Sequence, residues 1–371
     1  MGQLRALRGG AAPFARRASS SHYLMQPDYS RQVLLKEIGT DGQAILARAR
    51  VLIVGLGGLG SPVMQYLAGA GVGFLGLVDA DALDASNLHR QPIYALSDAG
   101  KPKADLARAA IARINPDVQV ELHAVRFNAA NALELIRGYD IILDCSDNFR
   151  TKYLINDAAV LAHKPAVFAS VYQYEGQLQV YKPDPYYACL RCLWPDATAD
   201  GVVGNCAEAG VLGPVPGTFG AMQALLTLKI LLKMSGQLEG ELLLLDFMNF
   251  SSTKIKAARR AECRAPACAH ILKIAPEDSD IEIALDSLAA AAAQGLDIID
   301  IRSVEEVTAR PAAARHIPMN ELLANPGLLA AGRPAVLICA TGRRSLAAAQ
   351  TLRKQGLAVR SLAGGLQDLE R

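Results

Sequence analysis

The sequence predicts an α/β protein of two domains, a larger one with a mixed sheet and a small α/β one behind it. Three observations predict it. A strand, a glycine-rich turn, a helix and a second strand succeed one another over residues 51–79. Strand-length apolar runs alternate with helical ones along most of the chain, the pattern of a parallel sheet with crossover helices. A polar, turn-prone stretch at 274–280 then precedes a compact second alternation over residues 281–371. A length of 371 residues favours two domains as well.

Residues 1–27 stand apart: Arg5, Arg8, Arg16, Arg17 and the run Ser19-Ser20-Ser21, with no acidic residue. That composition resembles a mitochondrial transit peptide. The preferred expectation is a disordered extension with Met25 opening the functional chain. Residues 29–48 predict an amphipathic helical lead-in, with Val33, Leu34, Ile38 and Ile45 on its apolar positions.

VLIVG is then an apolar, β-branched run of the length of a buried parallel strand. Gly55, Gly57, Gly58 and Gly60 come next in a G-x-G-x-x-G pattern, and residues 61–71 carry apolar residues at helical spacing. Glycines let backbone approach a phosphate, and a helix N-terminus offers unpaired N–H groups to an anion. FLGLVD ends at Asp79, where an acidic residue suits a ribose hydroxyl. This is a Rossmann-like nucleotide site.

The glycine pattern alone suits a dinucleotide equally well. The residues beyond Asp79 argue otherwise. Ser86-Asn87-Leu88-His89-Arg90-Gln91 places polar and cationic groups just past the second strand, and Lys101 and Lys103 open the next helical stretch. Asp144-Cys145-Ser146-Asp147-Asn148 comes after IIL at the end of another strand. Strand ends of an open α/β sheet converge on one crevice, so Arg90, Lys103 and Asp147 meet near the glycine loop. Hydride transfer does not need that cluster. Nucleotidyl transfer does, because an anionic acceptor must approach an anionic phosphate.

GLGGLG, SNLHRQ, a lysine after a Gly-x-Pro turn, and DCSDN together resemble the ThiF/MoeB/HesA adenylyltransferases, relatives of the ubiquitin-activating enzymes, from about Tyr29 to Cys268. The resemblance implies that Gly58 and Asp79 hold ATP and that Asn87, Arg90 and Lys103 hold its phosphates. It implies Mg²⁺ at Asp147, with Asn148 lining the same pocket. Arg31 resembles the finger arginine that reaches the partner subunit's site in family homodimers.

Beyond the glycine unit, residues 103–114 predict a helix, 118–125 a strand, 131–138 a helix and 141–145 a strand. Residues 156–164 and 165–171 repeat the pattern. EGQLQVYKP predicts an exposed strand, from which the sheet continues with antiparallel members. Residues 214–235 predict a helix broken at Gly217 and Gly220, and ELLLLDF and STKIKAA predict two final strands.

Four cysteines belong to this domain's end. Cys189-Leu190-Arg191-Cys192 is one C-x₂-C pair, and Cys263 and Cys268 form a second. Four thiolates suit a closed, structural Zn²⁺ site. The second pair departs from the family spacing by two residues, which makes His270 an alternative ligand. Cys206, in a C-A-E-A-G context, belongs to neither pair; the resemblance gives it a thioester or acyl-disulfide role, and a structural role remains open beside that. Cys145 reads as a small packing residue.

In the second alternation LDIIDIR is a strand leading to Arg302, residues 313–322 a loop into a helix, PAVLI a strand delivering Cys339, and residues 345–356 a helix. A cysteine between a buried strand and a helix N-terminus sits among N–H donors that favour the thiolate. Arg343 and Arg344 add positive charge. CATGRRS, with ID-I-R, A-x-H-I-P and AGGLQDL, resembles a rhodanese, whose cysteine carries sulfane sulfur as a persulfide.

Net charge is +2, too small to imply a nucleic-acid partner, and no apolar run is long enough to span a bilayer. Seven cysteines without a secretory pattern point to metal or thiol chemistry in a cytoplasmic enzyme. The expected organisation is an adenylyltransferase domain over 28–273, a linker over 274–280 and a rhodanese domain over 281–371. Its expected substrate is a small ubiquitin-fold sulfur carrier ending in Gly-Gly. ATP would adenylylate that carrier, and the Cys339 persulfide, charged by a sulfane-sulfur donor, would supply sulfur for a thiocarboxylate. The carrier's pathway, whether molybdopterin, thiamine or tRNA thiolation, is open. Two rivals are a nicotinamide- or flavin-dependent oxidoreductase and a non-catalytic binder of ubiquitin-like proteins. The first leaves SNLHRQ, DCSDN and CATGRRS unexplained; the second does not need Arg90, Lys103 and Asp147 together.

Overall fold

In a computed structural model the described residues are 26–195, 210–261, 263, 268, 271, 273–274, 281–285, 287–329 and 333–370. They form two sheets. The first has eight strands: β1 (Arg50–Val54), β2 (Phe74–Val78), β3 (Gln119–His123), β4 (Ile141–Asp144), β5 (Ala166–Tyr172), β6 (Glu175–Tyr181), β7 (Glu241–Asp246) and β8 (Ser251–Lys256). Their spatial order is β3-β2-β1-β4-β5-β6-β7-β8. The first five are parallel, and β6, β7 and β8 pair antiparallel.

β1 is central because it is apolar on both faces. Val51 and Ile53 pack on one side with Val63, Met64 and Leu67 of α3 (Gly60–Gly69) and with Phe219 and Ala224. Leu52 and Val54 pack on the other with Ile142, Phe168 and Ile155, and the four paired cysteines lie in that second core. The order reverses between β1 and β4, so the carboxyl ends of β1, β2 and β4 open onto one crevice. α4 (Lys103–Ile114) and, after the short α5 (Ala132–Arg137), α6 (Phe149–Leu161) begin at that same end.

Three local expectations need correction. The lead-in is two helices, α1 (Ser30–Val33) and α2 (Gly39–Arg48), separated by the turn at 34–38, with Gly39 opening α2 at φ +55°. Leu34 and Ile45 point outward there, 73% and 42% exposed. The helix Pro214–Leu231 runs without a break through Gly217 and Gly220. A Cβ on Gly220 would stand 2.3 Å from the Leu59 carbonyl oxygen, so this glycine permits close packing on α3 and interrupts nothing. Finally, β6 is an interior strand whose second half, with Leu178, Val180 and Tyr181, is buried. The exposed edge is β8.

The second sheet is all-parallel: β9 (Glu282–Ile283), β10 (Asp297–Asp300), β11 (Arg315–His316), β12 (Ala335–Ile338) and β13 (Val359–Leu362), in the order β11-β10-β12-β13-β9. β12 is its buried centre. Among the described residues no helix is long and apolar enough to cross a membrane.

Candidate active sites

The crevice begins at Gly55. Its φ of +95° turns the chain out of β1, and a Cβ there would lie 2.6 Å from the Cys145 carbonyl oxygen. The glycine loop and the DCSDN loop are therefore in backbone contact, which only glycine permits. A Cβ on Gly60 would meet the Gly55 oxygen at 2.1 Å, so the turn is closed on itself. Gly57 looks toward Gln91, and Gly58 toward Pro216 with Arg90 slightly farther off.

Asp79, just beyond β2, holds this loop. Its carboxylate accepts the Leu56 N–H and the Asp81 N–H, each at 2.8 Å. Burial pushes its carboxyl up from the usual range, against the pull of nearby Lys103 and of both hydrogen bonds. Lys103 is 7% exposed at the start of α4, and its Nζ lies 3.3 Å from Asp81. Asp81 escaped the sequence reading; the acid-rich DADALD run was its signal.

The segment after β2 is a turn capped by Asp84, which accepts the Ser86 N–H at 2.8 Å, while Asn87 Oδ1 accepts the Asp84 N–H at 3.3 Å. His89 Nδ1 lies 2.9 Å from the Ser86 oxygen, and Arg90 Nη1 donates to the same oxygen at 3.2 Å. Leu88 packs on the core beneath. Asp147 is exposed beyond β4, and Asn148 caps α6 by accepting the Thr151 N–H at 2.8 Å. These predicted residues thus gather at one end of the sheet. Arg31 does not join their hydrogen bonds; it is exposed on α1.

On the opposite face of the sheet from α3 the four cysteines converge. Cys189 Sγ is 3.7 Å from Cys192 and 3.9 Å from Cys268, and Cys263 is 3.4 Å from Cys268. A tetrahedral Zn²⁺ with Zn–S near 2.3 Å has S–S edges of about 3.8 Å. Two of these separations fit such an edge, and Cys263–Cys268 is short of it. As they stand the thiols are not a formed ligand shell: among the described residues no group of three or more His, Cys, Asp or Glu is arranged to hold a metal. The Cys189 thiol donates toward the Cys192 sulfur, which raises Cys189 and lowers Cys192. Arg191 anchors this turn through a two-pronged pair with Asp157 of α6, both contacts 2.7 Å. His270 and Cys206 lie outside the described residues.

Cys339 comes directly after β12 and is fully buried. The Ser345 N–H points at its sulfur at 3.4 Å, and Ser345 Oγ lies at the same distance. Gly342, with φ +78°, turns the loop into the helix Arg343–Lys354. The AGGLQDL segment braces the loop: the Leu366 and Gln367 N–H groups donate to the Cys339 and Ala340 oxygens at 2.9 and 3.1 Å. Arg344 corrects an expectation. Its guanidinium is paired with Glu306 at 2.5 and 2.8 Å, so its charge is matched locally and does not simply add to the field around the sulfur. That pairing holds the Glu306 carboxyl down, to about 2. Asp300 and Arg302 form a buried pair below, and His316 Nε2 lies 2.8 Å from the Arg302 oxygen.

Two family models match separate stretches of the chain. The ThiF family model matches residues 29–265, and the rhodanese-like domain model matches residues 284–371. A sulfur carrier protein adenylyltransferase of Thermus thermophilus is 46% identical over 244 residues, 65% of this chain and 89% of that protein. A probable adenylyltransferase/sulfurtransferase MoeZ of Mycobacterium tuberculosis is 38% identical over 351 residues, 88% of each chain. The crystal structure of E. coli MccB with MccA-N7isoASN superposes with a TM-score of 0.57 at 23% identity, over 66% of this chain and 73% of that one, a likeness of fold alone.

Proposed function

Because this chain belongs to the ThiF family and ends in a rhodanese-like domain, we propose that it activates a ubiquitin-fold sulfur carrier with ATP and then sulfurates it. The carrier's terminal glycine carboxylate attacks the α-phosphate, pyrophosphate leaves, and an acyl-adenylate forms. One observation carries the reading above the rest: the glycine loop, Asp79, Lys103, Arg90 and the DCSDN loop share the carboxyl ends of neighbouring strands.

Each group has a task there. The glycine loop and the start of α3 bring backbone to the phosphates. Asp79 fixes the loop and reaches the ribose. Arg90 and Lys103 offset the charge on the phosphates as acceptor and leaving group separate. Releasing Arg90 from the Ser86 oxygen and Lys103 from Asp81 is part of binding. Asp147 would hold Mg²⁺, with Asn148 lining the same pocket; Mg²⁺ prefers one or two carboxylates together with phosphate oxygens and water, and the exposed Asp147 carboxylate fits that donor set. The cation supplies charge neutralisation on the phosphates. Arg31 would reach the site of the partner subunit in a homodimer.

Cys189, Cys192, Cys263 and Cys268 would take one structural Zn²⁺, with the Cys263–Cys268 separation of 3.4 Å opening by a few tenths of an ångström. Cys339 carries sulfane sulfur from a donor, and the terminal sulfur displaces AMP at the activated acyl carbon. The carrier is then joined to Cys339 as an acyl disulfide; attack on the Cys339 sulfur by a second thiol, the role assigned to Cys206, would release the thiocarboxylate and leave a Cys206–Cys339 disulfide for an external thiol to reduce. We read the enzyme as cytoplasmic, where thiols that are free in the structure stay reduced.

The test is direct. Purified protein is incubated with ATP and each candidate carrier, and the carriers are weighed by mass spectrometry. A carrier that gains AMP, and with thiosulfate exchanges one oxygen for sulfur, is the substrate. No mass change on any Gly-Gly carrier sinks the reading.

A further inference from the structure

Two buried residues that no step above uses hold the DCSDN turn, one at its start and one just past its end. Asp144 ends β4 with no exposure, and Lys152, one turn into α6, is 5% exposed. Lys152 Nζ donates to Asp144 Oδ2 and, at 2.7 Å, to the Ala169 carbonyl of β5. The other carboxylate oxygen of Asp144 accepts the Ser146 N–H at 3.2 Å and the Ser146 hydroxyl at 2.5 Å. Gln223 Nε2 donates to the Asp144 carbonyl at 2.8 Å. Residues 144–146 are thus fastened to β5, to α6 and to the helix Pro214–Leu231. Asp147 is the next residue, and Asn148 caps the helix that carries Lys152.

We propose that Lys152 and Asp144 are positioning residues: together they fix the strand-to-helix turn that presents Asp147, and so set the site's affinity for the divalent cation bound with ATP. The inference rests on the adenylylation reading. Stability alone explains the pair poorly, because two charges taken out of water recover little beyond what well-packed apolar side chains of that size would give. What an apolar pair lacks is direction. The ammonium ties the start of α6 to the end of β4, and the carboxylate curls Ser146 back immediately ahead of Asp147. Lys152 is too deeply buried to touch phosphate itself, so it acts through the loop.

The test compares wild type with Asp144→Asn/Lys152→Met, which removes both charges without orphaning either. Mn²⁺ serves as the probe, titrated by electron paramagnetic resonance into protein saturated with a non-hydrolysable ATP analogue. The Mg²⁺ requirement of carrier-dependent ATP–pyrophosphate exchange is measured beside it. The double variant is expected to bind Mn²⁺ about 10- to 100-fold more weakly, with a matching rise in Mg²⁺ requirement and a kcat largely recovered at saturating Mg²⁺. Lys152→Arg, which keeps the charge and its direction, is expected to stay within a few-fold of wild type. Wild-type Mn²⁺ affinity in the double variant overturns the proposal, whatever happens to its melting temperature. Wild-type protein that neither binds Mn²⁺ with the analogue nor exchanges pyrophosphate overturns the adenylylation reading, and this inference with it.

Discussion

Asp79 and Asp147 are both carboxylates at strand ends, and their surroundings divide the work between them. Asp79 is bound by two backbone N–H groups and partly desolvated, which suits a fixed loop anchor. Asp147 is exposed at the mouth of the crevice, which suits a cation that arrives with the nucleotide. Asp147→Ala should therefore lower carrier-dependent ATP–pyrophosphate exchange by about 10³-fold or more while leaving the melting temperature near wild type. Exchange close to wild type would remove Asp147 from the site. Glu306 offers a pH test in the second domain. Its carboxyl is held at about 2 by Arg344, below the ordinary value near 4.3. The pair's stabilisation is thus complete above the ordinary value and is lost as pH falls through about 2. Arg344→Met should lower stability at pH 7 by at most about 1 kcal/mol, since the pair is partly exposed, and the deficit should shrink below about pH 4.5. A deficit that is equal at pH 7 and pH 3 in thermal melts would separate Glu306 from this role. Both aspartates were legible from their strand ends. Lys152 was not, because its partner lies eight residues back across a turn and each reads alone as a surface charge.

Elements were legible where a single face or both faces of a strand decide them. VLIVG and PAVLI are apolar at every position because both sheet faces are covered, and each became a central strand. The misread helix and strand share a cause: local pattern cannot see the neighbour. Gly220 looks like a breaker until the Leu59 carbonyl is beside it, and alternation in β6 looks like an edge until β7 pairs with it. The cysteine knuckles are the case where element and ligand meet. They sit in the core below β4 and β5, away from the crevice, so metal there would brace the fold and leave nucleotide contacts alone. Freshly purified, reduced protein should carry one zinc per chain, and chelation should lower the melting temperature before it alters ATP affinity. Protein free of zinc would refute the assignment. Cys189→Ala should lose the metal; Cys268→Ala would keep it only if His270 substitutes.

At the scale of the whole molecule, the two sheets carry two chemistries whose residues do not overlap in sequence. In the proposed reaction adenylylation draws on Asp79, Arg90, Lys103 and Asp147, with Arg31 from a partner subunit, all before residue 274. The proposed sulfur transfer draws on Cys339, in a loop held by Ser345, Ser361, Leu366 and Gln367 of the second domain. Cys339→Ser should accordingly leave carrier adenylylation nearly unchanged and abolish sulfur transfer from thiosulfate. The sulfur is buried and hydrogen-bonded, so a serine fits its place with little strain, yet a hydroxyl cannot hold sulfane sulfur as a persulfide. The two readouts come from one reaction mixture: pyrophosphate exchange for the first domain, the carrier's mass for the second. Thiocarboxylate formed by Cys339→Ser from a sulfane donor would end the rhodanese assignment. Loss of exchange in the same variant would mean that the second domain acts on the nucleotide site, and the separation of tasks would fail even with both site assignments intact.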